Sequence, residues 1–480
     1  MNYKESLDYL EQKSSLGIVP GLAVVLDLLH ELGNPERKVP ALHIAGTNGK
    51  GSIMSFVESA MIEAGLKVGR YISPALKDYR ERWTVNREMP SEEEVASLMP
   101  RIREAESRIA GTPTAFETDT AFAFLWFAEE KCDVMLIECG MGGRLDATNV
   151  LPKKVVDVLA TVSMDHMQFL GDTREKILTE KLGIVKPGDA LVTSPMDRGL
   201  ADCMTNYLRE NVPEHECYIT ALSCVSGVKR SLKGTTFSLN QKEYRISMSG
   251  QVALENAVTA LMVLEIYNKR AKSFGLPVVS EEAISRGLTK TVWPGRFMVT
   301  GSNPVVILDG AHNRDAWKRL REELEYFFPE KGITFVMGVL RDKEVDCMLD
   351  TLLPLAKKLY TFTPDSPRGM KSRTLSRKAE AWMVVHEQVT HGQELHGEEH
   401  YGEKLHVKMP LKNEIYGNER NVTGENESDE GKTVTSCRTV LTAAKRAIRE
   451  AGREDVVVIA GSLSFMGELL SHMEVLEKRL

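Results

Sequence analysis

The chain has 480 residues, a formal net charge of −7 and 42% hydrophobic residues. This length accommodates about two to four domains of ~150 residues, and the modest negative charge gives no reason to expect nucleic acid or an anionic membrane as a partner. No apolar run approaches the ~20 residues of a membrane-spanning helix, and no signal-peptide pattern opens the sequence. Seven cysteines without a CxxC pair are typical of reduced thiols. We therefore expect a cytoplasmic protein that binds neither nucleic acid nor membrane.

A turn rich in small residues follows the first predicted strand. Residues 39–45 have strand character, residues 46–52 read Gly-Thr-Asn-Gly-Lys-Gly-Ser, and residues 53–65 show helical periodicity. A strand, a glycine-rich turn and a helix form a phosphate cradle, because backbone N–H groups and the helix dipole favour an anion. In such a cradle Lys50 reaches the outer phosphates and Ser52 offers a hydroxyl to Mg²⁺.

The turn departs from the standard phosphate loop at two positions. Ile44 stands where that pattern has its first glycine, and Gly51 separates the lysine from the serine. As a bare string, the turn is equally consistent with an ordinary tight turn. The strand before it and the helix after it favour the phosphate-binding interpretation.

Three further polar residues stand at the ends of predicted strands. Ligands of open α/β sheets bind at the carboxyl ends of the strands, and a carboxylate there could hold Mg²⁺. Taken singly, the serine is better explained by a turn, the glutamate equally well by a cap or salt bridge, and the histidine by a structural role. Convergence of all three on one place would favour a metal site. The strands and their polar residues are 67–72 with Ser73, 134–138 with Glu138, and 155–162 with His166.

Helical periodicity appears in several other stretches. Lys181 lies in one of them, where a lysine would ordinarily be at the surface, and the charged run 79–82 is typical of a solvated face. Residues 190–249 alternate apolar and polar residues in short bursts, as in small antiparallel strands. The predicted helices are 3–13, 21–32, 91–109, 116–130, 174–185 and 250–267.

Residues 291–296 have the character of a hinge, and strands alternate with helices again after it. We therefore predict an α/β protein with two domains. Residues 1–294 form an N-terminal P-loop-type ATPase domain with a mostly parallel sheet, and residues 295–480 form a smaller C-terminal Rossmann-like α/β domain. The strands of the second domain are predicted at 305–308, 335–339, 358–363 and 456–460.

Residues 386–434 do not fit the alternation of strands and helices. The segment is polar with little periodicity, and it holds five of the eleven histidines. The irregular histidine spacing argues against a metal tract. We predict a solvated, partly disordered insertion in the C-terminal domain.

Several motifs now stand in one order, and together they resemble the folylpolyglutamate synthase/dihydrofolate synthase family of the Mur ligase superfamily. The likeness covers nearly the whole chain apart from the insertion. The combination of the GGRLDATN, WPGR and DGAHN runs is highly specific. The motifs occupy residues 45–52, 73–74, 138–149, 165–166, 180–184, 293–296 and 309–313.

The resemblance implies an ATP-dependent acid–amino-acid ligase that acts in folate metabolism. Such an enzyme passes the γ-phosphoryl group of ATP to a carboxylate, and the amine of L-glutamate then attacks the acyl phosphate. The acceptor is dihydropteroate, a (poly)glutamylated tetrahydrofolate, or both. The implied partners are these small molecules alone, and the protein is expected to be a monomer.

The resemblance also assigns residues. For catalysis it implies Lys50, Glu138, His166, Lys181 and Arg296. For ATP it implies Asn48, Gly49, Lys50, Gly51, Ser52, Asn256, Arg296, Asp309 and His312. For Mg²⁺ it implies Ser73, Glu138, His166 and Lys181, the last as a carbamate. For the pterin or folate it implies Gly21, Leu22, Ala23, Thr114, Ala115, Phe116, Glu117, Leu145, Asp146 and Ala147.

The chain departs from the family at Ala75, where many relatives have histidine, at Leu182, where alanine is usual, and at residues 118–120. None of these positions is an implied metal ligand. Two other functions compete with this one. A related ligase could act on a peptidoglycan precursor, against which the GGRLDATN loop argues. A nucleotide-binding regulatory protein without ligase activity would not need Lys50, Glu138, His166 and Lys181 together.

Overall fold

The structure, a computed structural model, describes residues 1–391 and 432–472. Its first part is built on a seven-stranded sheet of order β3-β2-β4-β1-β5-β6-β7. Every neighbouring pair in this sheet is parallel except β2 with β3. The strands are β1 (Ala41–Ala45), β2 (Val68–Tyr71), β3 (Trp83–Val85), β4 (Val134–Glu138), β5 (Lys154–Leu159), β6 (Ala190–Thr193) and β7 (Glu216–Ile219).

Helices cover both faces of this sheet, so the central strands are buried on both sides. In β1, Leu42 and Ile44 face one apolar core, and Ala41 faces another. This burial explains why the predicted strands are continuous apolar runs. The helices are α1 (Tyr3–Ser14), α2 (Ala23–Glu31), α3 (Lys50–Glu63), α4 (Glu92–Glu106), α5 (Ala115–Glu129), α6 (Met167–Leu170), α7 (Arg174–Leu182), α8 (Arg198–Asn211), α9 (Gln251–Ala271) and α10 (Glu281–Lys290).

Local capping chemistry sets several helix starts. The Ser91 hydroxyl accepts the backbone N–H of Glu94, whose carboxylate accepts the backbone N–H of Ser91. The same reciprocal capping box joins Thr114 and Glu117 at the start of α5. Each box satisfies two backbone donors that a helix start leaves without an intrahelical partner, and the predicted start of α4 at residue 91 is confirmed to within one residue.

The prediction for residues 190–249 is wrong in its first half. Strands β6 and β7 belong to the main parallel sheet, and α8 connects them. The buried residues of α8 are Leu200, Met204 and Leu208. Their spacing of four forms a helical stripe rather than the alternation of a strand. Antiparallel pairing is limited to a separate three-stranded sheet of β8 (Val225–Ser231), β9 (Gly234–Leu239) and β10 (Lys242–Ile246).

The later part of the chain is built on a six-stranded sheet of order β11-β12-β16-β13-β14-β15. The pairs are parallel except β11 with β12. Its strands are β11 (Met298–Ser302), β12 (Val305–Asp309), β13 (Ile333–Met337), β14 (Ala356–Thr361), β15 (Thr433–Ser436) and β16 (Val456–Ala460). Its helices are α11 (Arg314–Phe327), α12 (Val345–Leu352), α13 (Ser372–His391), α14 (Val440–Glu450) and α15 (Met466–Ser471).

Four strands of this sheet match the prediction, and the edge strands β11 and β15 were not predicted. Both are short and partly polar, so they lack the apolar run of a central strand. The predicted insertion at 386–434 is too long at both ends, because α13 extends to His391 and β15 begins at Thr433. Residues 392–431 of that insertion lie outside the described residues. In the described ranges no helix is both long and apolar enough to cross a bilayer.

Helices α3 and α10 cross at a glycine. A Cβ built at Gly287 would lie 2.5 Å from the backbone N and Cα of Ala60, and the Ser59 hydroxyl donates to the Gly287 carbonyl over 2.7 Å. Since the obstacle is backbone, no side-chain rotation could relieve it. This contact fixes the position of α10 on the helix that begins at the glycine-rich turn.

We predict that Gly287→Ala lowers the free energy of unfolding by about 2 kcal/mol, because an added methyl group forces the two helices apart. Urea denaturation measures the change. The control is Gly199→Ala in α8, where the new Cβ meets only the Asp197 carboxylate at 3.4 Å. There alanine should be neutral or stabilising, by up to about 1 kcal/mol. Equal effects of the two substitutions would contradict the packing argument.

Candidate active site

The glycine-rich turn connects β1 to α3, as predicted, and distant elements close on it. Gly46 has φ +149°, and a Cβ there would lie 2.6 Å from the Cβ of Ala160. Gly49 has φ +91°, and its Cβ would lie 2.6 Å from Asn256 Oδ1. At Gly51 a side chain would overlap the Trp293 ring. The turn therefore has to lack side chains where the end of β5, helix α9 and the 291–296 segment approach it.

Two lysine amines meet at one backbone carbonyl. Lys50 Nζ and Lys181 Nζ each donate to the Gly46 carbonyl over 3.0 Å. Lys181 is 4% exposed, contrary to the expected surface position, because α7 packs it beneath the turn. Burial lowers the pKa of Lys181 to about 7, and the neighbouring Lys50 charge contributes to the shift. Near neutral pH a large share of this amine is unprotonated.

Glu138 faces Lys50 from the carboxyl end of β4. Its Oε1 lies 3.7 Å from Lys50 Nζ. Burial raises the pKa of Glu138, while Lys50, the Ser73 backbone N–H and Arg296 lower it. A buried carboxylate held between cations at the carboxyl end of a central strand is the kind of group that binds a metal or a cationic ligand.

Asp165 links the first part of the chain to the second. Its carboxylate lies 3.3 Å from Lys343 Nζ and 3.9 Å from His312 Nε2. Burial would raise the pKa of Asp165, but His166, Lys343 and His312 together lower it to about 2. His166 itself is half exposed with φ +50°. Burial of its ring lowers the pKa of His166, which Asp165 opposes and Lys343 reinforces.

Three residues of the predicted nucleotide set come from the second part of the chain. The Asp309 carboxylate, at the end of β12, accepts the backbone N–H groups of Phe297 and Ala311, each over 2.8 Å. Burial lowers the pKa of Arg296, and Asp309 and Glu138 oppose this shift. His312 Nδ1 donates to the Gly310 carbonyl over 2.8 Å. Burial also lowers the pKa of His312 to about 4, so its ring is neutral at pH 7.

Two adjoining cavities collect the predicted nucleotide and metal residues. The main cavity, of about 490 Å³, is lined by residues from both parts of the chain, among them Lys50, Gly51, Ser73, Glu138, His166, Lys181, Arg296 and His312. The interface cavity beside it is lined among others by Asn48, Gly49, Ser52, Asn256, Arg296, Asp309 and His312. Elements far apart in the sequence therefore meet at one place, as the prediction requires.

None of the ten residues predicted for the pterin or folate lines either cavity, but Leu145, Asp146 and Ala147 belong to the loop 140–147, which reaches the main cavity. The backbone N–H of Gly21 donates to the Leu145 carbonyl over 3.4 Å, and the Phe116 ring packs on Gly140. Gly140, Met141 and Gly142 of that loop line the main cavity. This arrangement puts the predicted pterin residues next to that cavity, and their role stays a prediction.

The carboxylates of that set have structural partners. Glu117 accepts from the backbone and hydroxyl of Thr114 at 2.7 and 2.8 Å. Asp146 accepts the backbone N–H of Met141 at 2.9 Å and of Thr148 at 3.0 Å. In this structure both side chains hold local backbone in place.

The charged run 79–82 is not a solvated face. It forms a short 3₁₀ turn in which Arg82 Nη1 lies 3.2 Å from Asp119 Oδ2, and the Tyr79 hydroxyl donates to the same carboxylate. Burial raises the pKa of Asp119 to about 6, against the lowering effect of Arg82. The pattern of charges gave no sign of this pairing, because Asp119 lies 37 positions away on another element, helix α5.

Two residues that bridge the two parts of the chain, Asn313 and Lys343, were not among the predicted site residues. Asn313 and Asn48 exchange side-chain contacts of 3.2 and 3.4 Å, and Lys343 pairs with Asp165. The available signal was position, since Lys343 follows β13 and Asn313 follows β12, at the carboxyl ends of strands where ligands of parallel sheets bind.

Two family descriptions match the chain. The Mur ligase middle domain matches residues 44–264, and the Mur ligase glutamate ligase domain matches residues 295–397. Together with the phosphate turn and the shared cavities, these matches define an ATP-dependent, amide-forming ligase of the Mur type.

Similar proteins of known name show which family of Mur-type ligases the chain belongs to. The chain is 34% identical over 391 residues to the dihydrofolate synthase/folylpolyglutamate synthase of Bacillus subtilis, covering 79% of this chain and 89% of that protein. It is 31% identical over 381 residues to the Escherichia coli protein of the same name, covering 77% and 83%. The chain belongs to the folylpolyglutamate synthase/dihydrofolate synthase family.

Solved structures agree with this assignment. E. coli FolC in complex with DHPP and ADP aligns over 99% of this chain and 98% of its own, with 26% identity and a TM-score of 0.77. The folylpolyglutamate synthase of Thermotoga maritima aligns over 99% and 97%, with 29% identity and a TM-score of 0.74. The predicted α/β fold is therefore confirmed.

We predict that Lys181→Met raises the free energy of unfolding in CO₂-depleted buffer, by on the order of 4 kcal/mol at pH 6. The native pKa is about 7 against an ordinary 10.5, so below pH 7 the amine is buried charged at full cost. Between pH 7 and 10.5 only the unfolded chain holds the proton, and the cost shrinks as pH rises. Urea denaturation at pH 6, 8 and 10 measures this trend, and a difference that does not vary with pH would contradict it.

Proposed function

We propose that this chain ligates L-glutamate to dihydropteroate, to a (poly)glutamylated tetrahydrofolate, or to both, through an acyl phosphate made with ATP. The observation that carries the proposal is the main cavity, where Lys50, Glu138 and Lys181 face Arg296 and His312. Phosphoryl transfer depends mainly on positioning and charge neutralisation, and this cavity offers cations from both sides.

The glycine-rich turn, which has no side chains at three positions, supports ATP binding. Glycines at 46, 49 and 51 leave backbone N–H groups open to phosphate oxygens at the start of α3, where the helix dipole also favours an anion. Asn48 to Ser52 would hold the phosphates, and Asn256, Arg296, Asp309 and His312 would line the rest of the nucleotide site. Lys50 and Arg296 would stabilise the negative charge of the transferring phosphoryl group from opposite sides.

For Mg²⁺, the donor set fits a site that the substrate helps to complete. Among the described residues no group of three or more His, Cys, Asp or Glu forms a metal site by itself. Mg²⁺ in phosphate-transfer sites is held by one or two carboxylates plus substrate phosphates and water. Here Ser73, Glu138 and His166 line the main cavity, and Lys181 would join them as a carbamate. When bound, the ion neutralises phosphate charge and orients the phosphoryl oxygens.

Lys181 has the chemistry that carbamate formation needs. Its unprotonated nitrogen would attack carbon dioxide, form an N–C bond and release one proton, which converts a neutral amine into an anionic carbamate. The pKa of about 7 supports this step, because the amine does not have to lose its proton at a high cost first.

The ligation then follows in two steps. The acceptor carboxylate takes the γ-phosphoryl group and ADP is released as the first leaving group. The amine nitrogen of L-glutamate attacks the acyl carbon, forms the amide bond, and phosphate leaves. Burial between the two parts of the chain keeps water from the acyl phosphate. We place the domain boundary at residues 294 and 295, within the segment that lines the cavity.

Both cavities are built from a single chain, so the proposal requires no second copy. We infer a cytoplasmic monomer with small molecules as its partners. Sedimentation of the purified protein at micromolar concentration should give the mass of one chain.

The decisive experiment is mass analysis of the products. We expect glutamate-dependent phosphate release and a product one glutamyl residue heavier with dihydropteroate, with tetrahydrofolate, or with each. A peptidoglycan precursor supplied in the same assay should give no product. Binding of ATP with no phosphate release for either folate acceptor would overturn the proposal in favour of a regulatory protein.

We predict that Lys181→Ala reduces ligation by at least about 100-fold, the scale on which loss of a metal-orienting group acts. Added formate or acetate should restore part of the rate, because a small carboxylate can occupy the place of the carbamate. The control is Lys176→Ala. Lys176 lies on the same helix as Lys181, but it is exposed and pairs with Asp172. Wild-type rates in Lys181→Ala would rule out this role.

A further inference from the structure

The main cavity has a second basic end that the ATP and metal residues do not account for. Arg70, Thr84 and Arg87, here called the Arg70 subsite, line it on the side of the β2–β3 hairpin. Arg70 and Thr84 are direct partners in that hairpin, so their side chains lie on one face. The Arg70 guanidinium lies 5.5 Å from the Trp293 ring, which itself packs on Gly51. The subsite therefore adjoins the phosphate turn.

The subsite carries an excess of positive charge. Arg70 Nη1 lies 2.8 Å from Glu58 Oε2, and Arg87 Nε lies 3.9 Å from the same oxygen. Two guanidinium groups thus share one buried carboxylate. Glu81 also lines the cavity, but its carboxylate accepts the backbone N–H groups of Leu76 and Lys77. The Lys77 side chain adds a further cation to the cavity lining.

Polar atoms of the subsite lack partners. Among the described residues, Arg70 Nε and Thr84 Oγ1 are buried without a hydrogen-bond partner, and Thr84 is only 2% exposed. Buried donors without partners are uncommon because each costs free energy. A guanidinium and a hydroxyl beside an unbalanced positive charge match the hydrogen-bonding capacity of a carboxylate.

Arg87 also stands where the backbone favours another residue. Asn86 and Arg87 have φ of +49° and +70°, and Val85 and Glu88 close this two-residue turn with a pair of backbone hydrogen bonds. Two successive positive φ values are the pattern of a type I′ turn, in which the second residue is usually glycine. A non-glycine residue in that conformation costs backbone free energy, and the Arg87 side chain, 42% exposed, lines the cavity from this strained turn.

We propose that the Arg70 subsite binds a carboxylate of the incoming L-glutamate and so orients its amine toward the acyl phosphate. This inference rests on the proposed function. The nucleotide phosphates have their own cradle at the other side of Gly51, and glutamate has two carboxylates that take no part in the bond being made. The end of an acceptor's glutamyl chain offers the same chemistry, and the experiment separates the two sources.

The test compares two matched turns. Arg87→Gly relieves the left-handed backbone and should raise the melting temperature, yet it should raise KM for L-glutamate by about fivefold or more, the scale of one charge-assisted contact. The KM for ATP should stay within about twofold of wild type, because the nucleotide phosphates have a separate cradle. The control is Gln241→Gly, in the Asn240–Gln241 turn between β9 and β10, where φ is +49° and +66°. It should raise the melting temperature and leave KM for glutamate unchanged.

A second variant tests the buried hydroxyl. Thr84→Val removes an unpartnered oxygen, so it should not lower the melting temperature, and it should raise KM for L-glutamate in the same direction as Arg87→Gly. If both variants keep the wild-type KM for glutamate, the subsite assignment is wrong.

The acceptor identifies the source of the carboxylate. With dihydropteroate, which carries no glutamyl group, the raised KM for L-glutamate should persist. A raised KM only for a glutamylated folate would assign the subsite to the acceptor and overturn the proposal. Calorimetric titration of L-glutamate into enzyme loaded with a non-hydrolysable ATP analogue gives an answer without turnover. Weaker binding in Arg87→Gly than in Gln241→Gly supports the subsite, and equal binding overturns it even if no ligation product forms.

Discussion

The close approach of three distant elements to one glycine-rich turn is the constraint on which the site depends. Ala160 at the end of β5, Asn256 in α9 and Trp293 before the second sheet all pack where the turn has no side chain. Because each contact is to a different element, the turn sets their spacing relative to one another. The same bare backbone that permits the packing leaves N–H groups for phosphate oxygens, so packing and ligand binding draw on one feature.

Positive charges outnumber negative ones around this turn. Lys50 and Lys181 donate to the same carbonyl, and Arg296 lies across the cavity, while Glu138 is the carboxylate nearest to Lys50. Like charges held close in a buried place oppose one another, which contributes to the low pKa of Lys181. Phosphate groups would offset this repulsion. The protein thus holds an unfavourable balance of positive charge here, which an anionic ligand would relieve.

The sequence predicts the elements whose signals are local. The strand β4, the helix α3 and the capping box that begins α4 each follow from periodicity or from residues three positions apart. Residues 190–249 were mispredicted because α8 shows its helical stripe only when the spacing of Leu200, Met204 and Leu208 is considered over the full helix. The short β11 and β15 carry too little apolar pattern to be recognised.

The candidate site divides in the same way. Residues at strand ends, such as Glu138 and Asp309, could be selected by position, and the family resemblance supplied their roles. The burial of Lys181, the Arg82–Asp119 pair and the contact of Asp165 with Lys343, 178 positions apart, depend on tertiary packing. Periodicity contains no information about which surface residue another helix will cover. The Arg70 subsite was not predicted for a related reason: Arg70 and Thr84 come together only through the register of β2 with β3.

The interface cavity has walls from both parts of the chain, with Asn48 and Asn256 on one side and Arg296, Asp309 and His312 on the other. In the proposed nucleotide site, neither half by itself would offer a complete surface. Nucleotide affinity and the alignment of the two halves would then be thermodynamically coupled, each favouring the other by the same factor. The Asp165–Lys343 contact joins the two halves and would contribute to that coupling.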